Sequence, residues 1–365
     1  MPSTNFQHSA DFTGLDFYIG IDIHKKSWVV TVRALNLQVD RFTQPPSPEN
    51  LLSHLKKKFP NGIFHSAYEA GFCGTHFHHQ LCLLGIENII VHPADIPSTD
   101  KQKKNKTDLH DSHSIAHYLE KGLLHGIHVL SEEQQELRAL FRLRQSKVRD
   151  VTRINNKLKS YLAFMGIITP RNNTNNQLTN KVICWLNGLE LSTSAGTITL
   201  RQYLGDLNYH RNQLLEVTKK LKQQVLRFYH QQYECLLSVP GIGPIVAMAL
   251  LAEIGNFNRF KNSDEYCSYL GLIPWENSSG EFMTTKGLQP RCNKYLRPLL
   301  VETSWAAIRH APELLAYYRK HAIKNNKHAI IKVARKIALV AKAVALNLQY
   351  YSSNHQAALS CSIEE

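Results

Sequence analysis

The sequence predicts an α/β domain followed by a mostly helical remainder, and three observations carry that prediction. In the first third, short apolar runs rich in β-branched residues alternate with helical patterns, as strands and helices of one sheet do. From Ser131 the apolar spacing changes to three and four, the period of long amphipathic helices. From Tyr233 a third region begins, again helical, with a Gly-rich turn near its start. The implied division is residues 1–130, 131–232 and 233–365. A length of 365 residues suits two or three domains, and 43% hydrophobic content is ample for their cores.

The elements follow in order. Residues 17 to 33, FYIGIDIHKKSWVVTVR, read as a strand running into a second strand. The loop QPPSPEN leads to an amphipathic helix from Leu51 to Phe59. GIFHSAYEA reads as a strand ending at Glu69, residues 75 to 84 as a helix, and NIIVH as a short buried strand. PADIPSTDKQKKNK is a basic loop. Thr107 or Asp108 then caps a helix reaching about Lys121.

In the middle region Leu137, Phe141, Val148, Val151, Leu158 and Leu162 form one stripe. Leu200, Leu204, Leu207, Leu214, Leu221, Val225 and Phe228 form another. Two coiled-coil helices joined by the Asn- and Thr-rich loop TPRNNTNNQLTN predict a helical hairpin or a dimerisation arm. In the last region LLSVPGIGPIVAMALLAEIGNFNRF precedes a polar stretch, and helices run from about Asn293 to Tyr350.

Charge narrows the function. Lys and Arg number 43 against 29 Asp and Glu, a formal net charge of +14. Such a balance favours a polyanionic partner, nucleic acid before anionic membrane. The opening MPSTNFQHSADFTGLDF lacks the pattern of a secretory leader. The most apolar late segment, IALVAKAVALNLQYY, is interrupted by Lys342 and too short to span a bilayer. Seven Cys, with no C-x-x-C pair, read as free thiols of a cytoplasmic protein. His76, His78 and His79 read as a polar helix surface, since nothing at the usual spacing completes a zinc ligand set.

Four carboxylates carry the chemistry. Asp22 sits in IGIDIHK, inside an apolar strand, where an acid is costly unless something pairs with it. Glu69 ends a neighbouring strand in YEAG. Asp108 and Asp111, in KTDLHD, share one face at the start of a helix. Together the four could hold two Mg²⁺ ions, and two metals about 4 Å apart stabilise both the attacking and the leaving oxygen of a phosphodiester displacement. Taken alone, Asp108 and Asp111 read more simply as a helix cap and a solvated acid.

Val239-Pro240-Gly241-Ile242-Gly243-Pro244 has the form of a helix-hairpin-helix turn. There Gly241 and Gly243 would let backbone approach a phosphate, beside the free N–H groups of the next helix. An ordinary tight helix–helix turn is the alternative. Ser278 and Ser279 lie in ENSSGE, most simply a polar loop, but Lys286, Arg291, Lys294 and Arg297 follow in a basic run suited to phosphate. A serine oxygen attacking a phosphodiester conserves the bond energy in a phosphoserine link. Arg138, Arg142, Arg144, Lys147, Arg149, Arg153, Lys157 and Lys159 crowd one stretch of helix, and of these Arg142, Arg149 and Arg153 are the foremost candidates for phosphate contact.

The blocks IGIDIHKK, YEAG, ADIPSTDKQKKNKTDLHDS, LLSVPGIGP, LAEIGNFNRF, YLGLIPWENSSGE and YLRPLLVETSWAAI, in this order, resemble one group of insertion-sequence transposases. These combine a RuvC-like DEDD domain of the RNase H fold, a coiled-coil segment and a C-terminal transposase domain. The likeness runs from about residue 17 to 350. It implies Asp22, Glu69, Asp108 and Asp111 as ligands of Mg²⁺ or Mn²⁺, and Ser278 or Ser279 as nucleophile, with Ser278 favoured. It also implies donor and target DNA as substrates and a noncoding bridge RNA as guide. The assembly it implies is a homo-oligomer, dimer or tetramer, in which the acids of one subunit meet the serine of another. A hydrolytic RuvC-like endonuclease of the junction-resolvase type, or a non-catalytic nucleic-acid-binding protein, are the alternatives.

Overall fold

The computed structural model describes residues 11–97, 108–170, 178–279, 282–323 and 325–352. The basic loop from 98 to 107, with Thr107, and most of the Asn-rich connector lie outside them. The chain forms two compact units, Met1–Val129 and Leu130–Glu365.

The first unit is built on a five-stranded mixed sheet. Its strands are β1 (Asp16–Ile23), β2 (Trp28–Ala34), β3 (Leu37–Gln44), β4 (Ile63–Glu69) and β5 (Glu87–Val91). They stand in the order β3-β2-β1-β4-β5. β1 pairs antiparallel with β2 and parallel with β4. Among the described residues three helices join them: α1 (Pro48–Lys58), α2 (His76–Leu83) and α3 (Asp108–Glu120). The alternation of β1 divides its residues between two faces. Ile19, Ile21 and Ile23 enter a core with Trp28, Leu51, Leu55 and Leu81. Gly20 and Asp22 belong to the opposite face. The mixed sheet, with these connections, is consistent with an RNase H-like domain.

β3 is absent from the sequence reading, which runs from the second strand into a loop. Most of its residues are exposed or half-exposed, so this edge strand carries no apolar alternation. The turn before it is equally quiet. Leu35 and Asn36 both take positive φ, 51° and 65°, the two-residue hairpin geometry usually marked by Asn-Gly.

Among its described residues the second unit is helical apart from one hairpin. Its helices are α4 (Glu132–Phe164), α5 (Asn180–Asn187), α6 (Ser194–Leu237), α7 (Pro244–Ile254), α8 (Ser263–Leu270), α9 (Leu296–His310), α10 (Pro312–Ala322) and α11 (Asn326–Asn347). The hairpin joins β6 (Pro274–Ser279) to β7 (Phe282–Leu288). α4 and α6 are the two predicted long helices, and they pack on each other within one chain. At one end Ile154, Leu158 and Leu162 meet Leu200, Leu204 and Leu207, with Val182 and Leu186 of α5 beside them. At the other, Leu137, Phe141, Leu221 and Val225 merge into the core of α7 to α11. Most of both apolar stripes is covered inside the chain, as a helical hairpin requires, while Phe228 stays 43% exposed. α6 is not straight: Tyr229 leaves helical geometry at φ −138° and ψ 35°. There its hydroxyl donates to Gln134 Oε1, while Gln134 Nε2 donates to the carbonyls of Leu251 and Ala252, both at 2.9 Å. Gln134 so adds side-chain donors to carbonyls in the last turn of α7, where the Leu251 carbonyl also receives the Gly255 N–H at 3.1 Å. The ENSSGE stretch, read as a polar loop, contributes its Ser278 and Ser279 to β6.

Candidate active site and nucleic-acid interface

Asp22 lies one residue before the end of β1, and its position relative to the other acids follows from how α3 lies on the sheet. Gly20 pairs with Thr31 of β2 and Ala67 of β4. α3 crosses it so closely that a Cβ on Gly20 would stand 2.1 Å from the Ser112 carbonyl oxygen and 2.5 Å from the Ala116 nitrogen. The Ser112 and Thr31 hydroxyls share a buried hydrogen bond of 3.0 Å. Ile115 packs with Ala67 and Val91.

A second anchor fixes the direction of the helix. Glu120, at its last turn, accepts from Arg33 Nε at 2.7 Å, with both side chains buried. It also accepts from the Asn36 N–H at 2.6 Å. Arg33 pairs with Tyr18, near the start of β1. The C-terminal end of α3 therefore lies toward the start of β1, and its first turn, with Asp108 and Asp111, lies toward Asp22.

Ile21 pairs with Tyr68, so Asp22 and Glu69 come next along adjacent parallel strands, on the face that α3 covers. Asp22, Glu69 and Asp111 thus share one end of one sheet face. Asp22 is 18% exposed, and its Oδ2 stands 3.1 Å from His24 Nε2. The donors are all carboxylate oxygens, the hard ligands that Mg²⁺ and Mn²⁺ take, and in kind they fit such an ion. Among the described residues no three His, Cys, Asp or Glu side chains stand close enough together to hold a metal. The side chain of Asp108 lies outside the described part. Sequence reasoning missed Gly20, Ser112, Arg33 and Glu120, which set this geometry. A glycine inside a β-branched strand was the available signal for a close backbone approach.

The serine region belongs to the second unit. Ser278 and Ser279 end β6 and pair with Met283 and Phe282 of β7. Their side chains, and that of Lys286, lie outside the described part. Of the basic run that follows, Arg291 and Lys294 are exposed. Arg297 turns inward, where its guanidinium donates to the Gln289 carbonyl and packs against Gly271.

In the same unit lies a buried charge that the sequence reading did not single out. Glu253 of α7 is fully buried, yet its two carboxylate oxygens accept from Arg142 Nε at 2.8 Å and Nη2 at 3.0 Å. Asn293 Nδ2 donates to it at 2.8 Å, and Asn293 Oδ1 receives the N–H groups of Tyr295 and Leu296 at the start of α9. Tyr269 donates to the Glu253 carbonyl at 2.9 Å. One carboxylate thereby ties the long helix α4 to the segment that carries the basic run.

The basic face of α4 divides accordingly. Arg142 faces Glu253 and lies over the Tyr295 ring at 5.0 Å, and the Glu253 carboxylate holds its pKa above the ordinary arginine range. Arg149 is exposed and also reaches the Tyr295 ring. Arg153 is 68% exposed beside Asp150. At the glycine turn, Gly241 has φ +82°, and a Cβ there would stand 2.6 Å from the Thr303 carbonyl oxygen. The close approach it allows is to α9. Gly243 opens α7 with free space around its Cα and no side-chain cap.

Two family profiles match the chain in these regions. An IS110-type DEDD transposase domain, described as a transposase, matches residues 19–167. A domain described as the transposase IS116/IS110/IS902 family matches residues 233–319. A protein of Sinorhizobium fredii described as a transposase, y4qE, is 26% identical over 81% of this chain and 73% of its own length. The transposase for insertion sequence element IS1328 of Yersinia enterocolitica is 28% identical over 55% of this chain and 58% of its own. The transposase for IS1111A of Coxiella burnetii is 24% identical over 65% of each. These findings define a DNA transposase of insertion sequences. The chain belongs to the IS110 family of such enzymes. A DEDD domain of this type points to dependence on a divalent metal ion. No helix among the described residues is long and apolar enough to cross a membrane.

Proposed function

We propose that the chain cuts and exchanges DNA strands at specific sites, guided by a noncoding bridge RNA, with metal-bound acids and a serine nucleophile. The reading divides the work among residues 1–130, 131–232 and 233–365, in a cytoplasmic homo-oligomer, dimer or tetramer. The observation that carries it is the shared end of one sheet face occupied by Asp22, Glu69 and the first turn of α3. In this reading Asp22, Glu69, Asp108 and Asp111 hold Mg²⁺ or Mn²⁺. Bound there, the ion supplies positive charge against the attacking and leaving oxygens.

The hydroxyl of Ser278, or of Ser279, attacks phosphorus. An Oγ–P bond forms, the bond from phosphorus to one sugar oxygen breaks, and that oxygen leaves as a hydroxyl with the proton the serine gave up. Attack on the phosphoserine by the hydroxyl of a different strand reverses these bonds and restores the serine, so no outside energy source is needed. Lys286, Arg291 and Lys294 hold phosphates near the hairpin. Arg149 and Arg153 hold the backbone farther along α4, and Arg142 and Arg297 share such contacts with their internal bonds. Gly243 and the first N–H groups of α7 offer a further phosphate contact.

The test is a covalent protein–DNA adduct mapped by mass spectrometry. Ser278→Ala should abolish adduct and recombination while DNA and RNA binding persist, and Ser279→Ala should be milder. The opposite ranking moves the nucleophile by one residue. Hydrolytic nicks from the double variant, with no adduct in the unaltered protein, would show the resolvase type of chemistry instead.

A further inference from the structure

Beside the base of the β6–β7 hairpin, between α9 and the start of α11, lies a cavity of about 850 Å³. That is within the range of small-molecule sites. Leu288, Val301 and Ile331 give it apolar walls, and Trp305, a residue 40% exposed, lines it. An edge contact with Tyr318, at 5.7 Å between centroids, braces that ring. The charged residues along the lining are Lys327, Lys332 and Arg335, with His328, and no Asp or Glu lies among them. Arg335 is engaged by Asp264 at 2.6 Å, and Lys332 Nζ lies 3.3 Å from His321 Nδ1. Lys327 and Lys332 are exposed.

We propose that this cavity takes one base extruded from the DNA strand held by the hairpin, with Trp305 as the stacking platform and Lys327 and Lys332 on the flanking phosphates. The inference rests on the reading of Ser278 and Ser279 given above. Three features favour a nucleotide over an apolar protein segment. An exposed indole within an apolar wall offers a face to any base, as single-strand binders do. The lining carries cations and no acid of its own, Arg335 alone being answered by Asp264 from outside it, which suits a polyanion and not a hydrophobic peptide. Pro274 lines the cavity and lies four residues before Ser278 in the same strand, roughly 13 Å at about 3.3 Å per residue. A strand engaged at the serine therefore reaches the cavity within a few nucleotides. A paired base cannot enter without leaving its stack, so the site discriminates unpaired DNA from duplex.

The experiment uses the full chain and labelled 15-nucleotide oligo-dT, the same oligomer with a central 5-iodouracil, an RNA oligomer of equal length, and a duplex, all at one salt concentration. Trp305→Ala should weaken single-stranded DNA binding about tenfold and leave duplex affinity unchanged. Trp305→Phe should restore most of the loss. Lys327→Gln with Lys332→Gln, at exposed positions that leave the core intact, should lower single-strand affinity and its salt dependence together, which keeps the test decisive if Trp305→Ala folds poorly. Photocrosslinking of the iodouracil strand should map to Trp305.

Equal losses for duplex and single strand, or no change in any variant, overturn the proposal. Loss confined to RNA assigns the cavity to RNA and overturns it for DNA. A change of sedimentation coefficient in Trp305→Ala with nucleic-acid affinity intact means that a second copy of the chain fills the cavity. None of these readouts depends on strand exchange, so failure of the serine mechanism, seen as a missing adduct, stays distinguishable.

Discussion

Asp22 and Gly20 are two residues apart on one face of β1, and each limits what the other could be. Gly20 leaves room for the backbone of α3, which brings Asp111 toward Asp22. Gly20→Ala should therefore cost about 1–3 kcal/mol or more, since a methyl group 2.1 Å from a carbonyl oxygen forces the helix off the sheet. Denaturant unfolding of the first unit measures this, and an unchanged midpoint would disprove the close docking. Asp22→Ala or Asp111→Ala should behave in the opposite way. Strand exchange should be lost with the metal ligand, while the melting temperature should not fall much, because removing one carboxylate relieves repulsion among the rest. Recombination at the unaltered level in either variant would remove these acids from the site.

At the scale of the element, α4 carries two kinds of arginine that look alike in the sequence. Arg142 is committed to the buried Glu253, whereas Arg149 and Arg153 face outward. Each phosphate contact adds about 0.9 to the slope of log affinity against log salt concentration. Changing Arg149 and Arg153 to Gln should flatten that slope by up to about two, with little effect on unfolding. Adding Arg142→Gln should flatten it further only if Arg142 also reaches phosphate. It should in any case destabilise the helical unit by about 1–3 kcal/mol, because Glu253 then loses two of its donors. Filter binding across a salt series, with thermal melts of the same proteins, separates the two effects. An unchanged slope in the double variant would make the outer face merely solvated.

For the whole molecule, the acids and the serines belong to different compact units, and the proposed reaction needs both. If the acids of one subunit serve the serine of another, Asp22→Ala and Ser278→Ala proteins, each inactive alone, should recover part of the activity when mixed before DNA is added. The recovered fraction should be well below that of the unaltered protein, since only mixed assemblies contain a complete site. Recombination assays on mixtures of graded ratio test this, and zero recovery at every ratio would assign both groups to one chain.

The sequence by itself determined the elements whose burial is strong and periodic. β1, β4, β5 and the two long helices write their packing into apolar spacing, because burying a face dictates the residues along it; β2 is legible as a run buried throughout, and the start of α3 through its capping residues. It also determined which acids to watch, since Asp22 interrupts a strand that is otherwise apolar. What it could not express was any element held by contacts from elsewhere. β3 is an edge strand with little apolar burial, and the hairpin of Ser278 and Ser279 is polar, so neither leaves a periodic trace. Only the tertiary structure decided that Gly241 serves a helix contact, that Arg142 answers a buried carboxylate, and that Glu120 and Ser112 turn α3 so that Asp111 points to the Asp22 end. Each of these depends on a partner dozens of residues away, and local spacing carries no information about which distant group a side chain will meet.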